Sequence, residues 1–274
     1  MDLVRTVTAV FAALGLALVA ATGATAGEPE FKSVRLSKDE TKALFAKLGK
    51  AAAKAKTFHA RILRSELSKF VLDEDPLKSE GEVWAERPDR FRQQMSKPKK
   101  SLAVANATEL WVYFPELREA QHVDLAKGPG SKAGGAAESF MSWVTFDLEK
   151  IQKSYRVSVK TAEVPEGVTI RFAKSTLGPA PDGEALDAVT AKPPAKAYVI
   201  TYTPLASHRK KATIRSLSIW VDGENPWPLK IRKVTKRRDT IVTEFRDIVL
   251  WEKLDPKLFE FTPPRGTKVE EIGG

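Results

Sequence analysis

From Phe58 to Leu125, and again from Tyr155 to Leu250, apolar residues fall at alternate positions in a series of short runs. Alternation sends successive side chains to opposite faces of an extended chain, so these runs read as strands with one face buried. They span 58–71, 80–87, 90–97, 101–105, 109–114, 119–125, 155–161, 167–173, 197–203, 213–221, 228–235 and 240–250. Pro88-Asp89 and Lys97-Pro98 mark tight turns. Short breaks leave no room for helical crossovers between most neighbours, so the pattern predicts an antiparallel meander. A doubly wound parallel sheet is excluded.

Two segments carry helical spacing instead. Ser37-Lys38-Asp39-Glu40 is a capping box, in which the serine hydroxyl and the glutamate carboxylate each satisfy an orphan amide. Leu44, Leu48, Ala51, Ala52 and Ala55 follow, so residues 38–56 are expected to form one amphipathic helix. Residues 136–152 show Phe140, Trp143, Val144, Leu148 and Ile151 on one side and predict a second. Between sheet and second helix lies a glycine-rich stretch, 127–135; segment 175–196, rich in Pro, Ala and Gly, reads as a surface excursion. Asp255–Phe261 suggests a short helical turn and a last extended piece. About eleven or twelve strands with two helices and no βαβ alternation define an α+β class built on one antiparallel sheet.

The strands are not all one-sided. Leu110-Trp111-Val112-Tyr113-Phe114 is apolar on both faces, as are Tyr198–Tyr202 and Ile248–Trp251. A sheet apolar on both sides needs two covers. A helix can be one; a second sheet, a partner or a ligand can be the other. Pattern alone does not separate a filled barrel from an apolar cavity.

Composition narrows the function classes. The 274 residues include no cysteine, which excludes disulfide frameworks, thiolate metal sites, cysteine nucleophiles and lipidation of an N-terminal Cys. Residues 1–26 read as a cleaved secretory signal: Arg5, then the uncharged run Thr6–Ala21, then Ala24-Thr25-Ala26. The uncharged run is shorter than the ~20 residues that span a bilayer, which favours cleavage near Ala26 over an anchor. Residues 27–274 are then expected to form a single exported domain. Loss of Asp2 and Arg5 with the leader leaves the net charge of +10 unchanged.

No nucleophile elbow, zinc-protease helix or phosphate-cradling loop is present. His59, His122 and His208 lack partners at metal-ligand spacing, so neither catalytic residue, metal nor cofactor is assigned. The basic excess is local. Residues 208–246 hold eleven Lys and Arg, among them Arg215, Lys230, Arg232 and Arg246, against four acids. Such a stretch is a solvated sheet face, or it attracts an anionic membrane or acidic partner; nucleic acid is a poor fit for an exported chain.

Three strings then point to a family. Ser79-Glu80-Gly81-Glu82-Val83-Trp84-Ala85-Glu86-Arg87-Pro88-Asp89-Arg90-Phe91-Arg92, followed by Lys97-Pro98, resembles the periplasmic outer-membrane lipoprotein carrier protein family, LolA. Glu109–Tyr113 and the ending Leu258-Phe259-Glu260-Phe261-Thr262-Pro263-Pro264-Arg265-Gly266 are similar to the same family in the same order. The resemblance implies an incomplete, strongly curved antiparallel β-barrel closed by helices acting as a lid. It implies a monomeric carrier, not an enzyme, that hides lipoprotein acyl chains, taking them from an inner-membrane ABC transporter to an outer-membrane receptor. The family's lid-latching arginine matches Arg87 and its cavity-edge phenylalanine matches Phe91. Trp84, Val83, Leu110, Val112, Phe114, Phe140 and Trp143 are the expected neighbours of the acyl chains. The sequence departs from the family in having no Gln between Arg61 and Leu67, Asn106-Ala107 in place of Asp-Gly, and extra length at 127–137 and 175–196. A periplasmic module that senses lipid or lipoprotein is the alternative reading, and a periplasmic hydrolase the third.

Overall fold

The computed structural model describes residues 32–68, 75–125, 148–173, 188–191, 197–210 and 212–272. Residues 1–26, Phe140, Trp143 and most of the glycine-rich and Pro-rich segments lie outside them. Ser33–Gly274 form one compact unit. Helix α1 (Lys38–Lys54) starts as its capping box demands: Glu40 N–H donates to Ser37 Oγ at 3.2 Å and Ser37 N–H to the Glu40 carboxylate at 2.7 Å. Of the second helix only α2 (Leu148–Gln152) is described. A 3₁₀ turn, Pro256–Phe259, capped by Asp255, occupies the place the sequence reserved for one.

The strands are β1 (Thr57–Leu67), β2 (Leu77–Glu86), β3 (Arg90–Lys97), β4 (Ser101–Ala105), β5 (Glu109–Phe114), β6 (Glu119–Asp124), β7 (Tyr155–Ala162), β8 (Ile170–Ala173), β9 (Ala188–Ala191), β10 (Ala197–Pro204), β11 (Ile214–Val221), β12 (Lys230–Thr235), β13 (Thr240–Trp251) and β14 (Lys268–Glu271). They make one fourteen-stranded sheet whose path runs β14-β6-β5-β4-β3-β2-β1-β13-β12-β11-β10-β7, with β8 attached to β13 and β9 to β8. The two ends of the path do not pair, so the curved sheet is open. Two strands exceed the expected set. β9 and β14 are four residues each, too short for alternation to register. The sheet is also not wholly antiparallel, because β8 runs parallel to β13 and β14 parallel to β6.

A long strand serves both branches. The first half of β13 pairs with β12 and the second half, 248–251, with β8; between them Asp247 takes a φ of 51° at an irregularity opposite β1. Residues 34–36 cover the far edge of β7, where Leu36 N–H donates to Val159 O at 3.0 Å and Thr161 N–H to Val34 O at 2.8 Å. That bridge suppresses pairing with other chains.

The two-sided strands find two covers. On one face, Ile62, Val83, Ala85, Phe91, Leu110, Phe245, Ile248 and Leu250 form the main cluster around Phe58 and Trp227, whose rings stack 4.9 Å apart. Beside it, Leu44, Phe45 and Leu48 of α1 pack on Val159, Ile200, Leu217 and Ile219, and Ile231 touches both groups. Leu48 is wholly buried, a contribution of about 2 kcal/mol relative to exposure. On the other face, Trp84, Val249 and Trp251 are buried under Leu254 and Phe259. Phe261 lies 5.7 Å from Trp111 and 5.4 Å from Tyr113, and Arg92 donates to Leu258 O at 3.2 Å. The second cover of this face is the chain's own C-terminal stretch.

Candidate functional site

Where the main cluster meets the α1 cluster the packing is incomplete. A groove of about 1060 Å³ runs along α1, at the upper end of the ~300–1,000 Å³ usual for ligand pockets. One wall is a helical stripe: Glu40, Ala43, Leu44, Lys47, Ala51 and Lys54 recur every three or four residues. The alanines keep that wall thin. Opposite stand Ile170 and Phe172 of β8, Leu250 of β13 and Tyr198 of β10. Val34, Arg35 and Leu36 line it from the segment bridged to β7, and Thr161 from β7 itself. Val34 is 61 % and Phe172 49 % exposed, two large apolar side chains left wet at one concavity. Such an arrangement is stabilised by an apolar occupant.

The loop 222–226 lines the groove too, and its shape is fixed by its own hydrogen bonds. Asp222 Oδ1 accepts from Glu224 N–H at 2.8 Å and from Asn225 N–H, while Asn225 Oδ1 accepts from Trp227 N–H at 3.2 Å. Gly223 has a φ of +79°, and a Cβ there would stand 2.6 Å from the Tyr198 ring, so conformation and space both require glycine. Burial pushes the Asp222 carboxyl above the usual carboxylate range, offset in part by the two backbone donors. Lys47 Nζ reaches Glu224 at 3.3 Å from α1 and ties helix to loop. Both partners are largely exposed, so the pair is a weak clasp.

The structure distributes the sequence-expected residues differently. Val83, Phe91 and Leu110 lie on the cluster face but are buried in the core, with Val112 packed half-buried against them. Phe114 is half-buried at the end of β5. Trp84 lies on the opposite face: it alternates with Val83 and Ala85, stacks on His59 at 4.9 Å, and sits under the C-terminal stretch. None of these lines the groove. Arg87 follows β2 at the turn before β3. Its N–H donates to Lys56 O at 2.8 Å, just past the end of α1, and its guanidinium lies 4.6 Å over the Trp227 ring. Burial lowers its pKa to about 10, still protonated at neutral pH. The residues that sequence reasoning missed are Val34, Ala43, Phe172, Gly223 and Pro226. Only two signals pointed there: the doubly apolar runs containing Tyr198 and Leu250, and the small residues on one flank of α1.

Among the described residues no cluster of His, Asp or Glu is arranged to hold a metal, and no helix is long and apolar enough to cross a membrane. Comparison with known proteins gives the geometry a context. The family model described as outer membrane lipoprotein carrier protein LolA matches residues 54–176. The chain is 24 % identical over 200 residues to the outer-membrane lipoprotein carrier protein of Alkalilimnicola ehrlichii, covering 72 % of this chain and 70 % of that one. To the protein of the same description from Legionella pneumophila (strain Corby) it is 29 % identical over 107 residues, 36 % of this chain and about half of the relative, 53 %. Among solved structures, an uncharacterized conserved protein from Thermus thermophilus aligns with a TM-score of 0.43 and 11 % identity, over 85 % of this chain and 99 % of that one. A LolA superfamily protein from Nitrosomonas europaea aligns with a TM-score of 0.36 and 12 % identity, over 81 % and 97 %.

Proposed function

We propose, for a chain that carries a LolA-type domain over residues 54–176, that it is a periplasmic carrier whose groove beside α1 shelters the acyl chains of lipoproteins on their way to the outer membrane. The observation that carries this reading is the groove itself: Ile170, Phe172, Tyr198 and Leu250 face Ala43, Leu44 and Ala51 across it, charged residues of α1 and the 222–226 loop line it as well, and Val34 and Phe172 are exposed to it with space for a ligand. Each methylene withdrawn from water there contributes roughly 0.8 kcal/mol. A carrier must also give its cargo up, and a half-open groove with one exposed ion pair beside it suits loose binding.

No bond is made or broken in this function. What the chain's residues do is exclude water and yield. Leu44, Ile170 and Leu250 form an apolar lining continuous with the core, Ala43 and Ala51 leave the space, and the braced loop 222–226 keeps its part of the wall in place. Arg87 acts as the latch through its position at the exit of α1, where its backbone and its stack on Trp227 couple the helix end to the β2–β3 turn. An inner-membrane ABC transporter as donor and an outer-membrane receptor as acceptor complete the scheme, and residues 1–26 serve as the export signal.

Native mass spectrometry of the full chain purified without detergent tests this. A lipid-mass adduct is expected, and it should disappear in Ala43→Trp, which fills the groove from the thin wall. An adduct that survives that substitution unchanged, or a chain that never carries one, contradicts the reading. Arg87→Leu should speed release of the adduct to empty vesicles; unchanged release removes the latch role.

A further inference from the structure

The groove leaves the end of the sheet away from Phe58 and Trp227 unexplained, and that end is where the basic residues gather. The β12–β13 turn, Thr235 to Asp239, is closed by Thr235 N–H donating to Asp239 O at 3.0 Å and by Thr235 Oγ1 donating to the Asp239 carboxylate at 3.0 Å. Lys236, Arg237 and Arg238 project from it, all exposed, and Arg238 holds a left-handed φ of 72° that glycine would adopt at less cost. Lys236 Nζ donates to Lys210 O at 2.7 Å, which brings the turn carrying Arg209 and Lys210 alongside.

Among the described residues no carboxylate pairs with Arg209, Lys210, Lys236, Arg237 or Arg238, whereas Lys230, further along β12, is paired with Glu244 at 3.0 Å. Of the acids at this end, Asp239 braces its own turn and Glu66 is held by Arg64 at 2.9 Å. Burial, with a lesser contribution from neighbouring Arg64 that Glu66 opposes, lowers the Lys233 ammonium from its ordinary value. Two large apolar side chains share this end. Leu67, registered opposite Thr240, is 44 % exposed, and Leu77, opposite Glu66, is 59 % exposed.

We infer that this end of the sheet, formed by Arg209, Lys210, Lys236, Arg237, Arg238 and the exposed Leu67 and Leu77, is a docking surface for an anionic phospholipid bilayer. Exposed cations on turns meet headgroup phosphates, and leucines flanking them enter the interface. An acidic protein would match the charge but leaves the two leucines unexplained. The site is separate from the groove and does not depend on what the groove holds.

Vesicle co-flotation of the full chain decides it. Binding is expected to phosphatidylglycerol-containing vesicles and not to pure phosphatidylcholine, with loss near 1 M salt, where the Debye length falls to about 3 Å. The triple variant Lys236→Glu/Arg237→Glu/Arg238→Glu should weaken binding at least tenfold, and Leu67→Ser/Leu77→Ser severalfold, each with an unchanged circular dichroism spectrum. Equal binding to both vesicle types, no binding at low salt, or full binding by the triple variant overturns the inference. So does capture by a polyglutamate matrix without vesicle binding, which would assign the surface to an acidic protein.

Discussion

The region around β2 to β5 and the region beneath α1 both present apolar residues of one sheet, yet one is filled and the other is not. Around Phe91, Val83 and Leu110, neighbouring strands supply complementary side chains, Ala85 and Ala105 flanking Phe91 in register, and the space closes. Beside α1 the helix presents alanines at 43 and 51, and β8 turns Phe172 toward water. Apolar composition shows that a surface must be covered; the sizes of the facing side chains decide whether the protein covers it alone. The first region supplies stability and the second leaves a groove.

Substitutions can break or sharpen that contrast. The largest effect is expected from Phe91→Ala, which should cost about 3–5 kcal/mol in chemical denaturation by opening a cavity in the filled region. The lipid adduct of the surviving folded fraction should not change. Gly223→Ala forces a side chain into a left-handed backbone and against Tyr198, so a loss of about 1–3 kcal/mol is expected, together with a weaker adduct because the wall of the groove shifts. Lys47→Met removes an exposed clasp and should alter stability by less than about 1 kcal/mol while accelerating lipid exchange. The smallest effect is a pH dependence. Since burial raises the Asp222 carboxyl in the folded state, its contribution to stability is fully present below the unfolded carboxyl value and is lost as pH rises through the folded one. Asp222→Asn should therefore flatten the decline in stability over that mildly acidic range, as thermal melts at stepped pH would record.

Much of this fold is written in local pattern. The capping box at Ser37 starts α1 where expected, and every alternating run became a strand. The need of Leu110–Phe114 and Ile248–Trp251 for covers on both faces was legible as well. What supplied the outer cover was not, because Leu254, Phe259 and Phe261 reach Trp84, Trp251, Trp111 and Tyr113 only through long-range folding. For the same reason the parity of β2 is readable but not its sense: Val83 and Trp84 must face opposite ways, and the family resemblance alone puts both on the cargo side. The groove was hidden because it forms between α1, β8 and a loop that are far apart in the chain, and because cavities arise from residues too small to fill a space, such as Ala43 and Ala51. Arg87 was locatable from the motif, while its stack on Trp227 was not.

The most direct test places the cargo. The full chain loaded with a fatty acid bearing a spin label along its acyl chain would be read by methyl NMR. Strong broadening is predicted for Leu44, Ile170 and Leu250, with Val83 and Leu110 little affected. Broadening centred on Val83 and Leu110, with the α1 methyls sharp, would mean that the acyl chain enters the filled core between β2 and β5, and would contradict the account.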